Sequence, residues 1–281
     1  MKVVLAGGSG FIGGHLAAVL RARGDSVAIV SLRDLDAAVA GSRDADAVVN
    51  LAGASLAKRW TEPAKREIRD SRIDTTRAFV ERLGAEGIAL GTYVGTSAVG
   101  YYGTSESEEF AEGSAPGDDF LAQVCIEWER EHEKAASLGA RVVRIRNGLV
   151  LGTDGGALPL MLPPFRAGLG GHLASGRQWV SWVHIDDVVA MYVRALERGD
   201  GVYNATAPQP LRNAEFTKIL GATLHRPALF PVPAFALATL LGEGAMLLTE
   251  GQRVLPERTL ASGYSFKFPS LQAALEDLLR R

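Results

Sequence analysis

The stretch Gly7-Gly8-Ser9-Gly10-Phe11-Ile12-Gly13 directly follows an apolar run, Lys2-Val3-Val4-Leu5-Ala6, so a short strand must turn through glycines into a helix. Glycines at 7, 10 and 13 permit a tight turn, close approach of a pyrophosphate to the backbone, and close packing of the new helix, His15 to Arg23, on the strand. The start of that helix presents unpaired N–H groups to phosphate. Asp25-Ser26-Val27-Ala28-Ile29-Val30 reads as a second strand, which gives the glycines a context that a lone glycine pattern lacks.

The alternation continues. Ala47-Val48-Val49-Asn50-Leu51-Ala52 reads as a strand, a polar helix over about 62–83 leads to Gly91–Ser97, and another over about 119–138 leads to Arg141–Arg146. This is the pattern of an α/β fold with a doubly wound, Rossmann-like parallel sheet. Ligands of such sheets lie at the carboxyl ends of the strands, so segments 7–13, 50–54, 96–102 and 146–152 are expected to border one crevice. Beyond Gly152, glycines and prolines punctuate the chain up to Trp179–His184, and helical stretches at 213–224 and 234–251 are separated by Pro227, Pro231 and Pro233. They suit a small C-terminal substrate-capping domain. The expected division is 1–152 plus 178–206 for the dinucleotide-binding domain and 153–177 plus 207–281 for the substrate side. Leu271–Leu279 reads as an amphipathic helix whose leucines enter the core.

Composition narrows the function. A formal net charge of −2 argues against a nucleic-acid-binding surface. One cysteine, Cys125, excludes an internal disulfide and a cysteine-built zinc site, and the five histidines lack ligand spacing, so no metal is expected. Neither an export signal nor a membrane span is read in the chain, and a cytoplasmic location is expected. The expected partners are a small-molecule substrate and no nucleic acid or membrane, with the chain a monomer or homodimer. The helices at 62–83 and 119–138, which could form a dimer contact, carry many charges, among them Lys65, Arg66, Glu127, Glu129 and Glu131.

The second strand ends Val30-Ser31-Leu32-Arg33 with no carboxylate at Ser31 to hold a ribose 2′-hydroxyl, while Arg33 can pair a 2′-phosphate. The cofactor expected is NADP (NADPH) rather than NAD, although Asp34 and Asp36 keep NAD open. Its contacts are expected from Gly7, Ser9, Gly10, Phe11, Ile12, Gly13 and Arg33, from Leu51, Ala52 and Gly53, whose backbone admits a flat ring or ribose, and from Thr96 and Arg146 at later strand ends. Arg69 and Arg72 share a helix face on which Arg72 can reach the crevice, either to bind phosphate or a carboxylate or simply as part of a solvated face.

These motifs, with Asp46–Gly53, Thr96–Gly103, Arg146–Gly152 and Val183–Val188, resemble the extended short-chain dehydrogenase/reductases of the epimerase/dehydratase superfamily over nearly the whole chain. Trp60-Thr61, Ile68–Ile73, Asp119–Cys125, Gly176–Trp179 and Gly251–Pro256 are similar to an atypical subfamily described as nucleoside-diphosphate-sugar epimerases and sometimes labelled cell-division inhibitors. The resemblance implies hydride exchange assisted by a Tyr-x-x-x-Lys pair, in which lysine and ribose lower the tyrosine pKa. That pair is missing: Leu121 and Cys125 stand where the resemblance puts tyrosine and lysine. Ser97, Tyr101 and Tyr102 are the substitute catalytic candidates, and Gln123 or Cys125 is a further neighbour for the nicotinamide. In the same resemblance His184 with Asp186 and Asp187 marks a turn near the site. Two functions follow: an NADP-dependent epimerase or oxidoreductase on a small polar, nucleotide-linked or simpler substrate, or an NADPH-binding sensor that has lost its dyad.

Overall fold

The computed structural model describes residues 1–280. Six parallel strands form its main sheet: β1 (Lys2–Ala6), β2 (Ser26–Val30), β3 (Ala47–Asn50), β4 (Thr92–Ala98), β5 (Arg141–Asn147) and β6 (Gly201–Ala205), in the spatial order β6-β5-β4-β3-β1-β2. From β1 the chain moves outward to β2 and then returns to β1's other side as β3. That reversal is the switch point at which a crevice opens beyond the carboxyl ends of β1 and β3.

Alternation along each strand feeds two cores. Val3 and Leu5 of β1 face helix α1 (Phe11–Ala22) and the helix Ile185–Glu197, where Leu16, Leu20, Val188 and Tyr192 are buried with them. Val4 and Ala6 face the opposite side, against α2 (Leu35–Gly41) and the helix Ile73–Ala85, with Val39, Phe79 and Leu83. Each fully buried leucine or phenylalanine contributes about 1.5–3 kcal/mol. The terminal helix, Leu271–Arg280, buries Leu271, Leu275 and Leu278 in the first of these cores, as its pattern predicts.

The polar helix expected over 62–83 is two helices, α3 (Glu62–Asp70) and α4 (Ile73–Ala85), separated at Ser71-Arg72. Ser71 Oγ donates to Ile68 O (3.2 Å) and accepts from Ala54 N (3.0 Å), so the break is tied to the loop after β3. The helix expected over 119–138 is α5 (Phe120–Glu133) followed by a 3₁₀ turn. Its charges are not all a solvated face, because Glu129 and Glu131 are buried. Next come α6 (Leu158–Arg166), α7 (Ile185–Glu197), α8 (Asn213–Thr223) and α9 (Ala234–Leu241), the last shorter than the stretch 234–251 suggests because the chain turns at Gly242 with φ +61°. Short ladders stitch the C-terminal part to the rest: Arg253–Val254 pairs with Glu109–Phe110, and Leu211–Arg212 with Trp179–Val180. Among the described residues, no helix is long and apolar enough to cross a membrane.

Candidate functional site

The glycine turn is built as its spacing predicts. Gly7 takes φ +78° and donates to Val30 O (3.1 Å), and Gly10 N donates back to Gly7 O (3.0 Å). A side chain at Gly7 would put Cβ 2.9 Å from the Leu51 carbonyl carbon and Ala52 N, and at Gly13 2.6 Å from Gly8 Cα. These two positions bring β1, α1 and the loop after β3 into backbone contact. No side chain caps the first turn of α1, and Ser9 and Gly10 are exposed. The result is a cradle of backbone N–H groups that fits a pyrophosphate. Phe11 is overlaid by the loop at 152–156, which Asp154 ties down through His15 (2.9 Å).

The facing wall is Leu51-Ala52-Gly53, partly or fully exposed. Buried Asn50 sets its course: Oδ1 accepts from Ala52 N (3.0 Å), while Nδ2 donates to Thr76 Oγ1 (3.0 Å) and Tyr93 OH (3.1 Å). On the outer side of this wall, Leu32, Leu35, Glu67, Asp70, Ser71, Asp74, Thr75 and Ala78 border an open groove of about 520 Å³. Exposed Arg33 stands beside it, near enough to act on Glu67, whose carboxyl is held below its ordinary range chiefly by Lys58. Glu67, Asp70 and Asp74 are each paired, with Lys58, Arg69 and Arg77. A separate cavity of about 230 Å³, bordered by Met191, Tyr203 and Tyr264, includes Gly199 just before β6 and so lies towards the other end of that strand.

The polar residues at the ends of β4 and β5 lock together beneath the crevice. Arg146 Nε and Nη2 donate to the two oxygens of Glu129 (2.7 and 2.8 Å), and Ser97 Oγ donates to the same carboxylate (2.6 Å). Tyr102 OH accepts from Arg146 Nη1 (2.9 Å) and donates to Asn204 Oδ1 (2.8 Å). Burial pushes the Tyr102 hydroxyl up to about 12. Burial also works against the Arg146 charge, yet Glu129 holds its pKa well above the ordinary arginine value. The expectation that Arg146 lines the crevice is therefore corrected, because the side chain is only 4% exposed and its fork is occupied by Glu129. Ser97 and Tyr102 are likewise buried, with both hydroxyls engaged. Tyr101 is the partly exposed member of the three catalytic candidates, its ring 3.3 Å from the Arg146 guanidinium carbon. Thr96 Oγ1 meets Tyr192 OH at 2.6 Å.

On α5, Leu121 packs against Gly100 and Gln123 is exposed. Cys125 is buried, and its thiol is pushed up to about 12 by burial first and Glu129 second. It is a neutral small apolar residue at physiological pH. Glu129 and Asn204 carry the network, and the sequence reading gave neither that place. The signal for Glu129 is the stripe Leu121-Cys125-Glu129, a carboxylate continuing an apolar helix face towards arginines spaced along a strand.

His132, one turn further along α5, bonds Thr96 O through Nε2 (3.0 Å) and Tyr93 OH through Nδ1 (3.2 Å). Burial lowers its pKa from 6.5 to about 3. The folded protein thus binds fewer protons here than the unfolded chain between those values, so stability falls as pH drops from about 6.5 towards 3. This one group contributes a slope approaching about 1.4 kcal/mol per pH unit. Urea midpoints measured from pH 7.5 to 4.5 should show a steeper loss for the native protein than for His132→Gln, and parallel curves would remove His132 from the account.

His184 accepts from Asp186 N through Nδ1 (3.0 Å) and caps α7, while Nε2 lies 3.4 Å from Asp277 of the terminal helix. Ligand atoms of His184, Asp186 and Asp277 lie within 4.8 Å of one another, but Nδ1 is spent on the cap.

Comparison with known proteins agrees with this geometry. The family model described as NAD dependent epimerase/dehydratase family matches residues 3–206, and a domain of unknown function, DUF1731, matches 232–278. Epimerase family protein SDR39U1 homolog, chloroplastic, of Arabidopsis thaliana is 41% identical over 100% of this chain and 87% of its own length. Mouse SDR39U1 is 39% identical over 99% and 100%. The crystal structure of human SDR39U1 (isoform 2) with NADPH superposes with a TM-score of 0.92 at 38% identity, covering 100% of both chains. A UDP-glucose 4-epimerase from Thermotoga maritima, at 18% identity and a TM-score of 0.80, shares the fold. With the glycine turn, the reversed strand order and the C-terminal segment all accounted for, the chain belongs to the NAD-dependent epimerase/dehydratase family of extended short-chain dehydrogenase/reductases.

Proposed function

We propose that the protein binds NADPH across the glycine turn and exchanges hydride with a small polar carbonyl or hydroxyl compound. The observation that carries this reading is the cradle itself: Gly7 and Gly13 let β1, α1 and the loop after β3 close on one another, and the exposed turn at Ser9 and Gly10 leads into a helix start that no side chain caps. Gly7, Ser9, Gly10, Phe11, Ile12 and Gly13 hold the phosphates, Leu51, Ala52 and Gly53 receive the ribose and ring faces, and Thr96 borders the far end. Leu32 and Leu35 give the adenosine end an apolar groove, and Arg33 at its rim pairs the 2′-phosphate. NADPH in the human relative's crystal supports the same choice.

When bound, the reduced nicotinamide supplies hydride; the protein must supply a proton to the substrate oxygen. Tyr101 is the best placed of the three candidates, because its ring is partly exposed while Ser97 and Tyr102 hold the Arg146–Glu129 pair on which it stacks. Ser97 and Tyr102 then act as positioning residues. The sensor reading rests on Leu121 and Cys125, neither of which can exchange that proton.

The test is thermal unfolding with NADPH, NADP⁺, NADH and NAD⁺, followed by a panel of aldehydes and ketones read as loss of NADPH absorbance. A hundredfold excess over Kd adds about 2.7 kcal/mol, a rise of several degrees. NADPH should give the largest rise, and Arg33→Ala should weaken NADPH roughly tenfold while leaving NADH unchanged. No rise with any nucleotide would end the cofactor reading. Binding without turnover across the panel would favour the sensor.

A further inference from the structure

The cavity of about 230 Å³ at the opposite end of the sheet from the crevice lies between α7, the last strand and the C-terminal segment. Met191, Arg194, Ala195 and Arg198 border it at helix spacing, three and four residues apart, so one face of α7 passes from apolar to basic as the helix ends. Register puts Tyr203 of β6 directly beside Ile145 of β5, and both residues border the same space. Thr259, Ser262 and Tyr264 close the third wall. Because α7 starts just after His184, beyond the carboxyl ends of the strands, its far end lies about 20 Å from that start. The cavity and the glycine turn share no residue.

Its floor is apolar and its rim cationic. Ile145 and Met191 are buried. Arg194 spends Nη2 on Ser262, bonding both O and Oγ, and keeps the other donors of its fork. Arg198 is exposed, and among the described residues neither guanidinium has a carboxylate within 4.0 Å. Acids of this region are already taken: Glu197 pairs with Arg23 (2.7 Å) and Asp200 with Arg258 (2.9 Å). Asp187 accepts from Tyr264 OH (2.9 Å) and from the backbone of Lys267 and Phe268. The carbonyls that end α7 bond Arg141, a third cation, through Ala195 and Leu196, so the negative end of the helix dipole is answered as well. Tyr203 OH is a further donor, bonded to no described residue.

We propose that this cavity is a second ligand site, taking a small organic anion with an apolar body. Arg194 and Arg198 hold the anionic head, Tyr203 OH adds a donor, and Ile145 and Met191 receive the ring or chain. Volume limits the ligand. At about 30 Å³ per water molecule the space equals roughly eight waters, below the ~300–1,000 Å³ that cofactors and larger ligands fill. A dinucleotide or a nucleotide-linked sugar is therefore too large, and the ligand is on the scale of one ring or branched chain bearing a carboxylate or phosphate. Bound there, it ties α7 and the last strand to the C-terminal segment without entering the crevice.

Isothermal titration calorimetry on the full chain tests this with phenylacetate and phenyl phosphate, which share a ring and differ in head group, and with neutral phenylacetamide. Each is titrated into wild type, Arg194→Gln and Arg198→Gln, and into wild type saturated with NADPH. At least one anion should bind wild type about tenfold or more tighter than the amide, with the same dissociation constant when NADPH is present. Each substitution should weaken that anion roughly tenfold, and the tighter head group tells carboxylate from phosphate. A wild-type chain that binds neither anion overturns the proposal, as do an amide that binds equally well and arginine variants that bind as wild type does. Loss of the anion at saturating NADPH assigns it to the crevice and overturns the proposal too. If wild type binds no NADPH, the cofactor reading falls while the arginine variants still decide the cavity. Should Arg194→Gln not fold because its tie to Ser262 is lost, Arg198→Gln decides alone, since that guanidinium bonds no described residue.

Discussion

Replacing Glu129 by alanine is expected to destabilise the protein by about 3–5 kcal/mol, because it leaves a buried guanidinium without its counter-ion. The same carboxylate accepts from Arg146 twice and from Ser97 once, so three donors lose their acceptor together. For a chain of this length the loss is about 10 °C in Tm, read by calorimetry or by circular dichroism. Arg146→Met alone should cost a similar amount by stranding Glu129, whereas Glu129→Met with Arg146→Met should cost clearly less than the two single changes summed. Strict additivity of the single changes would mean that the pair does not act as a unit. Tyr101 fluorescence and any NADPH turnover should change with the same variants, since its ring rests on Arg146.

Gly13→Val should abolish measurable nucleotide binding, with affinity falling at least about a hundredfold as the charge-assisted bonds of the cradle are lost. The added Cβ would meet Gly8 Cα at 2.6 Å and Gly7 O at 2.7 Å, both backbone atoms that cannot swing aside. The next residue is the control. Gly14 is exposed, with nothing within 4 Å of a Cβ, so Gly14→Ala should bind nucleotide as wild type does and gain up to about 1 kcal/mol of helix stability. Equal binding by Gly13→Val and Gly14→Ala in a fluorescence titration with NADPH would remove the glycine turn from the site.

The parts of this molecule legible in its sequence are those governed by near neighbours. Strand followed by glycine turn and helix is a local pattern, so β1 and β2 emerge within a residue of their expected bounds, α1 ends within a residue of Arg23 though it starts already at Phe11, and the buried leucines of the terminal helix follow from their spacing. The break at Ser71-Arg72 was not legible, because its cause is the loop at Ala54, 17 residues away from Ser71. Nor could the hydroxyls of Ser97 and Tyr102 be known to be engaged. Their partners lie on other elements: Glu129 on α5, Arg146 on β5 and Asn204 on β6. A serine and two tyrosines at a strand end look alike in sequence whether they face a ligand or a buried ion pair. Only the register of β4 against β5, which places Ser97 beside Arg146, separates the cases.

Glu112 accepts from the backbone of Asn204 in the last strand of the sheet and from Arg258 and Thr259 in the C-terminal segment. Asn204 in turn donates to Leu255 O (2.9 Å). The two segments matched by separate family models are thus joined through a shared set of largely part-buried polar bonds at the sheet's edge. Removing the C-terminal segment would take from Asn204 both the Leu255 acceptor and the Thr259 donor, so the outermost strand of the sheet depends for its polar bonding on a part of the chain outside the dinucleotide-binding fold.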